Sequence, residues 1–142
     1  MNAEENGKGR PGALKIEMIA PSLTVADIDA SLAWYRDVLG FEVSELWEHE
    51  GTVMGADLTA GPAHLMLGQD DWAKGKDRDK GQGFRLYFTT DGDIDALAAA
   101  IERRGGTLDS KPEDMPWGAR VFSLTDPDGF KLTFAAGTEG AD

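Results

Sequence analysis

Chemistry in this chain has few side chains to work with. Its 142 residues hold two histidines, His49 and His64, and no cysteine. That excludes a disulfide framework, a thiolate metal site and a cysteine nucleophile. Ser22, Ser31 and Ser44 have no evident histidine partner. No glycine-rich phosphate loop, G-x-S-x-G elbow or metal-spaced histidine pair occurs. His49 stands in a Glu-rich turn and reads as a solvated loop residue, and Glu42, Glu45, Glu48 and Glu50 read as solvated strand and turn positions. His64, in an alternating run, is either strand-surface filler or a polar group turned into a cleft. Trp47, Trp72 and Trp117 fall at strand ends or in loops. There they either pack in the ordinary way or offer flat surfaces to a planar or cationic ligand.

Placing those side chains requires strands and turns. Asp126-Pro127-Asp128-Gly129 is turn chemistry: proline presets φ, the aspartates bond nearby backbone N–H groups, and glycine takes positive φ. Alternating runs on either side, Ala119 to Thr125 and Phe130 to Phe134, make it a β-hairpin. Upstream, Leu14 to Val25 reads as a strand with Pro21 marking an edge or irregularity. Asp27 caps a helix whose Ile28, Leu32, Tyr35 and Leu39 share one face, and Gly40 ends it. Strands are expected at Phe41 to Trp47, Thr52 to Thr59, Ala63 to Leu67 and Phe84 to Thr90. Asp93 caps a second helix, with Ile94, Leu97, Ala98 and Ile101 on one face and Gly105-Gly106 at its end. A charged loop (69–83), a weak strand near Thr107 and a Pro-rich loop from Lys111 to Pro116 complete the chain. Residues 1–12 read as a disordered lead and 137–142 as a frayed tail.

The order of elements repeats. Asp27-Ile28-Asp29-Ala30 recurs as Asp93-Ile94-Asp95-Ala96, and Leu58-Thr59 falls opposite Leu124-Thr125 at the same offset. A four-letter match can arise by chance, but the constant offset and shared order favour duplication. The fold class is then α+β, with two tandem βαβββ modules (about 13–68 and 83–136) in one domain spanning 13–136. Each helix would cover one face of a curved mixed sheet, leaving the other face to line a cleft. Alternation directs Ile19, Pro21, Leu23, Val25, Leu65, Leu67, Phe84, Leu86 and Phe88 toward helices. It leaves His64, Met66, Arg85, Tyr87, Lys131 and Thr133 toward the cleft.

Lys and Arg number 14 against 26 Asp and Glu, a net charge of −12, which opposes binding to nucleic-acid phosphates. No apolar run approaches the ~20 residues that span a bilayer, and the N-terminus lacks a signal-peptide core. The expected address is cytoplasmic, with neither nucleic acid nor membrane as a partner.

Leu23-x-Val25-x-Asp27, Ser31, the run Tyr35-Arg36-Asp37-Val38-Leu39-Gly40-Phe41, Trp117-Gly118-x-Arg120 and Asp126-Pro127-Asp128-Gly129 together resemble the vicinal oxygen chelate superfamily. This superfamily comprises glyoxalases, extradiol dioxygenases and bleomycin-resistance proteins. The Trp-Gly-x-Arg element leans toward the bleomycin-resistance-like branch. The resemblance implies a divalent metal held from the first and last strands of each module, at positions that here carry Ala20, Met66, Arg85 and Thr133. Those side chains make no hard-metal site, so no cofactor and no catalytic residue is expected. The implied function is sequestration of a planar or aromatic, possibly cationic, small molecule, with Trp47, His64, Met66, Arg85, Tyr87, Trp117, Arg120 and Lys131 as ligand-binding residues. A metal-dependent lyase or dioxygenase, or a metal-free enzyme using His64 and Tyr87 as acid and base, is the alternative. A homodimer completing the cleft is expected.

Overall fold

A computed structural model describes residues 12–137. Strand β1 (Ser22–Val25) leads into helix α1 (Ile28–Ala33), which continues as a π-helix over Trp34–Leu39. Then come β2 (Glu42–His49), β3 (Thr52–Ala60) and β4 (Ala63–Gln69). The second half repeats the order: β5 (Arg85–Thr89), helix α2 (Ile94–Arg103), β6 (Leu108–Asp114), β7 (Ala119–Thr125) and β8 (Lys131–Gly137). The strands form two four-stranded sheets, ordered β1-β4-β3-β2 and β5-β8-β7-β6. In each, the first strand lies parallel to the last and the other pairs are antiparallel. This is the α+β pair of βαβββ modules that the repeat predicts.

The two helices start alike because their capping residues match. Asp27 accepts from the amide of Ala30 at 3.2 Å, and Asp93 from that of Ala96 at 3.1 Å. Each satisfies one of the unpaired N–H groups of a first turn. α1 packs on β3 and β4, and α2 on β6, β7 and β8. Leu23, Val25, Leu58, Leu65, Leu67, Phe122, Leu124 and Leu132 are buried beneath them. One continuous core joins both modules through edge-on and stacked rings, including Tyr35 with Phe41, Phe41 with Phe88, and Phe88 with Phe134. Among the described residues no helix is long and apolar enough to cross a membrane.

Three expectations are corrected. The first strand is confined to Ser22–Val25, and Ile19, expected against a helix, is 85 % exposed. Pro21 has no amide to donate, although its carbonyl still accepts from Met66 N at 2.9 Å, so regular pairing begins only after it. The segment expected as a Pro-rich loop contributes most of β6, where Pro112 sits in an edge strand within a register shift between Ser110 and Glu113. Edges and bulges are where a strand tolerates proline. Finally, the helix ending at Gly40 is only in part α: Gly40 N and Phe41 N both reach the Tyr35 carbonyl at 3.0 Å. The expected lead and tail lie outside the described residues except for Gly12 and Gly137, the latter closing β8.

Candidate functional site: the open faces of the two sheets

Burial divides β1, β4 and β5 by a period of two. In β4, Leu65 and Leu67 are 1 % and 2 % exposed, so His64, Met66 and Gly68 point to the face away from α1. Cross-strand register sets rows on this open face. Ser22, Met66, Asp57 and Glu45 form one row, and Thr24, Gly68, Gly55 and Trp47 the next. Trp47 lies on Gly55: a Cβ there would stand 2.8 Å from the indole Cε3. Gly68 alongside has open space where a side chain would be, so the indole borders a stretch of bare backbone. His64 Nδ1 lies 3.0 Å from Asp57 Oδ2 and 3.1 Å from Oδ1, with Asp57 the more buried partner. A carboxylate on Nδ1 favours the tautomer with its proton there, leaving Nε2 free to accept or, once charged, to donate.

The second sheet presents a different chemistry. Arg85 and Tyr87 alternate with Leu86 and Phe88 along β5, and Tyr87 is about half exposed. Arg85 donates to Thr133 Oγ1 at 2.7 Å, and Thr133 in turn contacts Ser123 Oγ at 3.2 Å. Lys131 donates to Thr125 Oγ1 at 3.0 Å. Among the described residues neither Arg85 nor Lys131 has a carboxylate within 4.0 Å, so both charges are left for solvent or ligand. Trp117, in the turn between β6 and β7, is 66 % exposed.

Arg120 is placed elsewhere. In β7 it alternates with the open-face residues Val121 and Ser123, on the side of Phe122 and Leu124. It grips Asp95 at the start of α2 through two bonds of 2.8 and 2.9 Å, and Asp114 through a third. These carboxylates hold the guanidinium well above its usual range. Trp72, in the loop between the modules, has Lys76 and Lys80 over its ring at 5.5 and 5.9 Å, so its face is already taken by cations.

The four positions implied for a metal do not suit one. Ala20 offers no donor and the Met66 thioether is soft, while Arg85 would repel a cation and is itself bonded to Thr133. Nor do three or more His, Cys, Asp or Glu side chains gather into a ligand set among the described residues. No metal-routed step follows from these side chains.

Sequence reading missed Asp57, because a carboxylate in a strand looks like surface until the register sets it beside His64. It also missed that the Asp126–Gly129 turn ties the modules together. Asp126 accepts from Tyr35 OH at 2.7 Å and from the amides of Asp128 and Phe130. Burial raises its pKa, against the lowering effect of these bonds. Asp128 accepts from Ala26 N, Ser31 Oγ and Lys80 Nζ. Lys80 also reaches Asp70 and the Thr24 carbonyl, and Asp70, itself bonded by Trp72 N and by Arg78, stays below the usual carboxylate range. The spacing Asp-x-Asp in a turn could have suggested a clamp, but not its partners.

The architecture is shared with solved structures. TioX from Micromonospora sp. ML1 superposes with a TM-score of 0.71 at 21% identity, covering 85% of this chain and 98% of that one. TnmS3, an antibiotic binding protein from Streptomyces sp. CB03234, gives 0.68 at 24% identity, covering 88% and 98%. A superfamily member from Sphaerobacter thermophilus DSM 20745 gives 0.68 at 26% identity, covering 86% and 98%. A search of curated proteins returns no match. The family profile described as Glyoxalase/Bleomycin resistance protein/Dioxygenase superfamily matches residues 15–134, and the chain belongs to that superfamily.

Proposed function

We propose that this protein binds a planar or aromatic small molecule on the open sheet faces and sequesters it without a catalytic metal. One observation carries the reading: Trp47 on the open face of the first sheet and Tyr87 on that of the second are 39 % and 51 % exposed, and Trp117 in the β6–β7 turn is 66 % exposed. Aromatic rings held in water are costly unless a partner covers them, and they stack on flat ligands at small entropic cost. Unpaired Arg85 and Lys131 would take an anionic substituent, while the overall charge of −12 attracts a cationic one. An aromatic body with separated charged groups satisfies both. TnmS3, which shares this fold, is described as antibiotic binding, in keeping with a small-molecule ligand.

The complete site is proposed to need a homodimer. The open face of the first sheet carries Glu45 and Asp57 and that of the second carries Arg85 and Lys131, so the two are complementary across a two-fold axis. A second reading rests on Asp57–His64. With Nδ1 engaged by a carboxylate, His64 Nε2 is equipped as a base, and Tyr87 could serve as the acid in a metal-free reaction.

Titrating planar drugs while following tryptophan fluorescence tests the primary reading. Trp117→Ala and Trp47→Ala should each weaken binding by ~1–3 kcal/mol, the range for a stacking anchor. Unchanged affinity in both variants would refute stacking. Conversion of the ligand by the parent, abolished in His64→Gln, would establish the second reading. Stoichiometric metal surviving dialysis would overturn the metal-free site.

A further inference from the structure

A separate cavity opens where the two modules meet, on the helix-bearing side of the sheets. It measures about 490 Å³, within the size range of drug-sized ligand pockets. Leu39 and Phe41 come from the first module, and Phe88, Leu97 and Phe134 from the second. The rings are already arranged for aromatic contact: Phe88 stacks on Phe134 at 4.7 Å, and Phe41 meets Phe88 edge-on at 6.2 Å. The space exists because the turn at 60–63 is Ala-Gly-Pro-Ala and because the helix before it ends on Gly40 in the left-handed conformation. None of these small residues can fill it.

The rim is polar on one side only, where β5 ends at Thr89 and is followed by Thr90 and Asp91. Thr90 Oγ1 is occupied by the amide of Gly92 at 3.1 Å. Asp91 is exposed, and no hydrogen bond or ion pair engages its carboxylate among the described residues. An unpaired carboxylate at the mouth of an aromatic cavity suits a ligand that is flat and cationic. The open face of the second sheet offers the reverse at Arg85 and Lys131. Trp47, His64, Met66, Arg85, Tyr87, Trp117, Arg120 and Lys131 are all absent from the cavity wall.

We propose that this cavity is a second binding site, specific for small planar aromatic cations and independent of the sheet-face site. The net charge of −12 raises the local concentration of such cations, and Asp91 holds their charged end while Phe41, Phe88 and Phe134 cover the rings.

The probe is 9-aminoacridine, a planar monocation at neutral pH, titrated into the full chain by fluorescence and calorimetry. Ala63→Phe, placed on the same strand face as buried Leu65, should fill the cavity and weaken binding about tenfold or more. Asp91→Asn changes only an exposed side chain and should weaken it about fivefold, with a shallower dependence on salt. Trp47→Ala and Trp117→Ala should leave unchanged the component of binding that Ala63→Phe removes. Loss of binding in the tryptophan variants but not in Ala63→Phe or Asp91→Asn would assign the probe to the sheet faces and overturn the second site. No binding to the parent, or equal binding by Asp91→Asn and its parent, would also overturn it. Circular dichroism and a cooperative melt identify a misfolded Ala63→Phe, and Asp91→Asn then decides.

Discussion

Tyr35 and Asp126 show how one side-chain pair can hold two modules together. The phenol is fully buried on the helix of the first module, and its hydroxyl donates at 2.7 Å to a carboxylate in the β7–β8 turn of the second. Burial, and then the neighbouring Asp126 charge, push the tyrosine far above its ordinary range. Tyr35→Phe keeps the ring but strips Asp126 of a donor, so equilibrium urea unfolding should show a loss of about 1–3 kcal/mol. The sign with pH follows from linkage. A folded-state pKa raised above the unfolded value near 10 gives stability that is complete below pH ~10 and is lost as pH rises through the folded value. The parent should therefore weaken in alkali, and the Tyr35→Phe variant should lack that component. Parallel alkaline melting curves for the two proteins would count against this coupling.

At the level of elements, the connection between modules is the unusual piece. It is charged and glycine-containing, which alone suggests a loose tether, yet Asp70 and Lys80 are almost entirely buried in it. Lys80 bridges Asp70, Asp128 and the Thr24 carbonyl, so it joins the loop, the Asp126–Gly129 turn and β1. Breaking a buried pair strands the remaining charges without compensation. Lys80→Met should lower the melting temperature and make the loop a substrate for limited trypsin digestion at Lys74, Lys76 or Arg78. Equal resistance of parent and variant would disprove the clamp. Gly81 tightens the same contact, because a Cβ there would collide with the backbone carbonyl of Gly129. Gly81→Ala should cost about 1–3 kcal/mol through forced separation of the two segments.

For the whole molecule, the open faces carry exposed aromatics and opposite local charges. A homodimer apposing the first sheet of one chain to the second sheet of its partner would cover them. Sedimentation at micromolar concentration is expected to give the mass of two chains at low salt, with dissociation favoured as salt screens the complementary faces. A monomer under all conditions would remove the dimer, and the ligand would then have to bind one face alone.

Much of this was settled by the sequence. The matched Asp caps, the alternation of Leu65 and Leu67 with His64 and Met66, and the Asp126–Gly129 turn each encode local geometry within a few residues. Repetition of the order then gives the paired βαβββ architecture, because periodicity and capping are local properties. The tertiary structure decided what depends on partners distant in the chain. Register put Asp57 on His64 and Trp47 over Gly55, and sent Arg120 to α2. Removal from water made buried clamps of Asp70, Lys80 and Asp126, three polar residues that read as loop or turn chemistry in isolation, and gave the buried Tyr35 hydroxyl its partner. The end of β1 shows the same limit: Leu14 to Val25 alternates like a strand, but pairing requires a neighbour, and the parallel partner β4 engages only Ser22 to Val25. Side-chain type and spacing set what each residue can do, and packing between modules chooses which of those capacities is used.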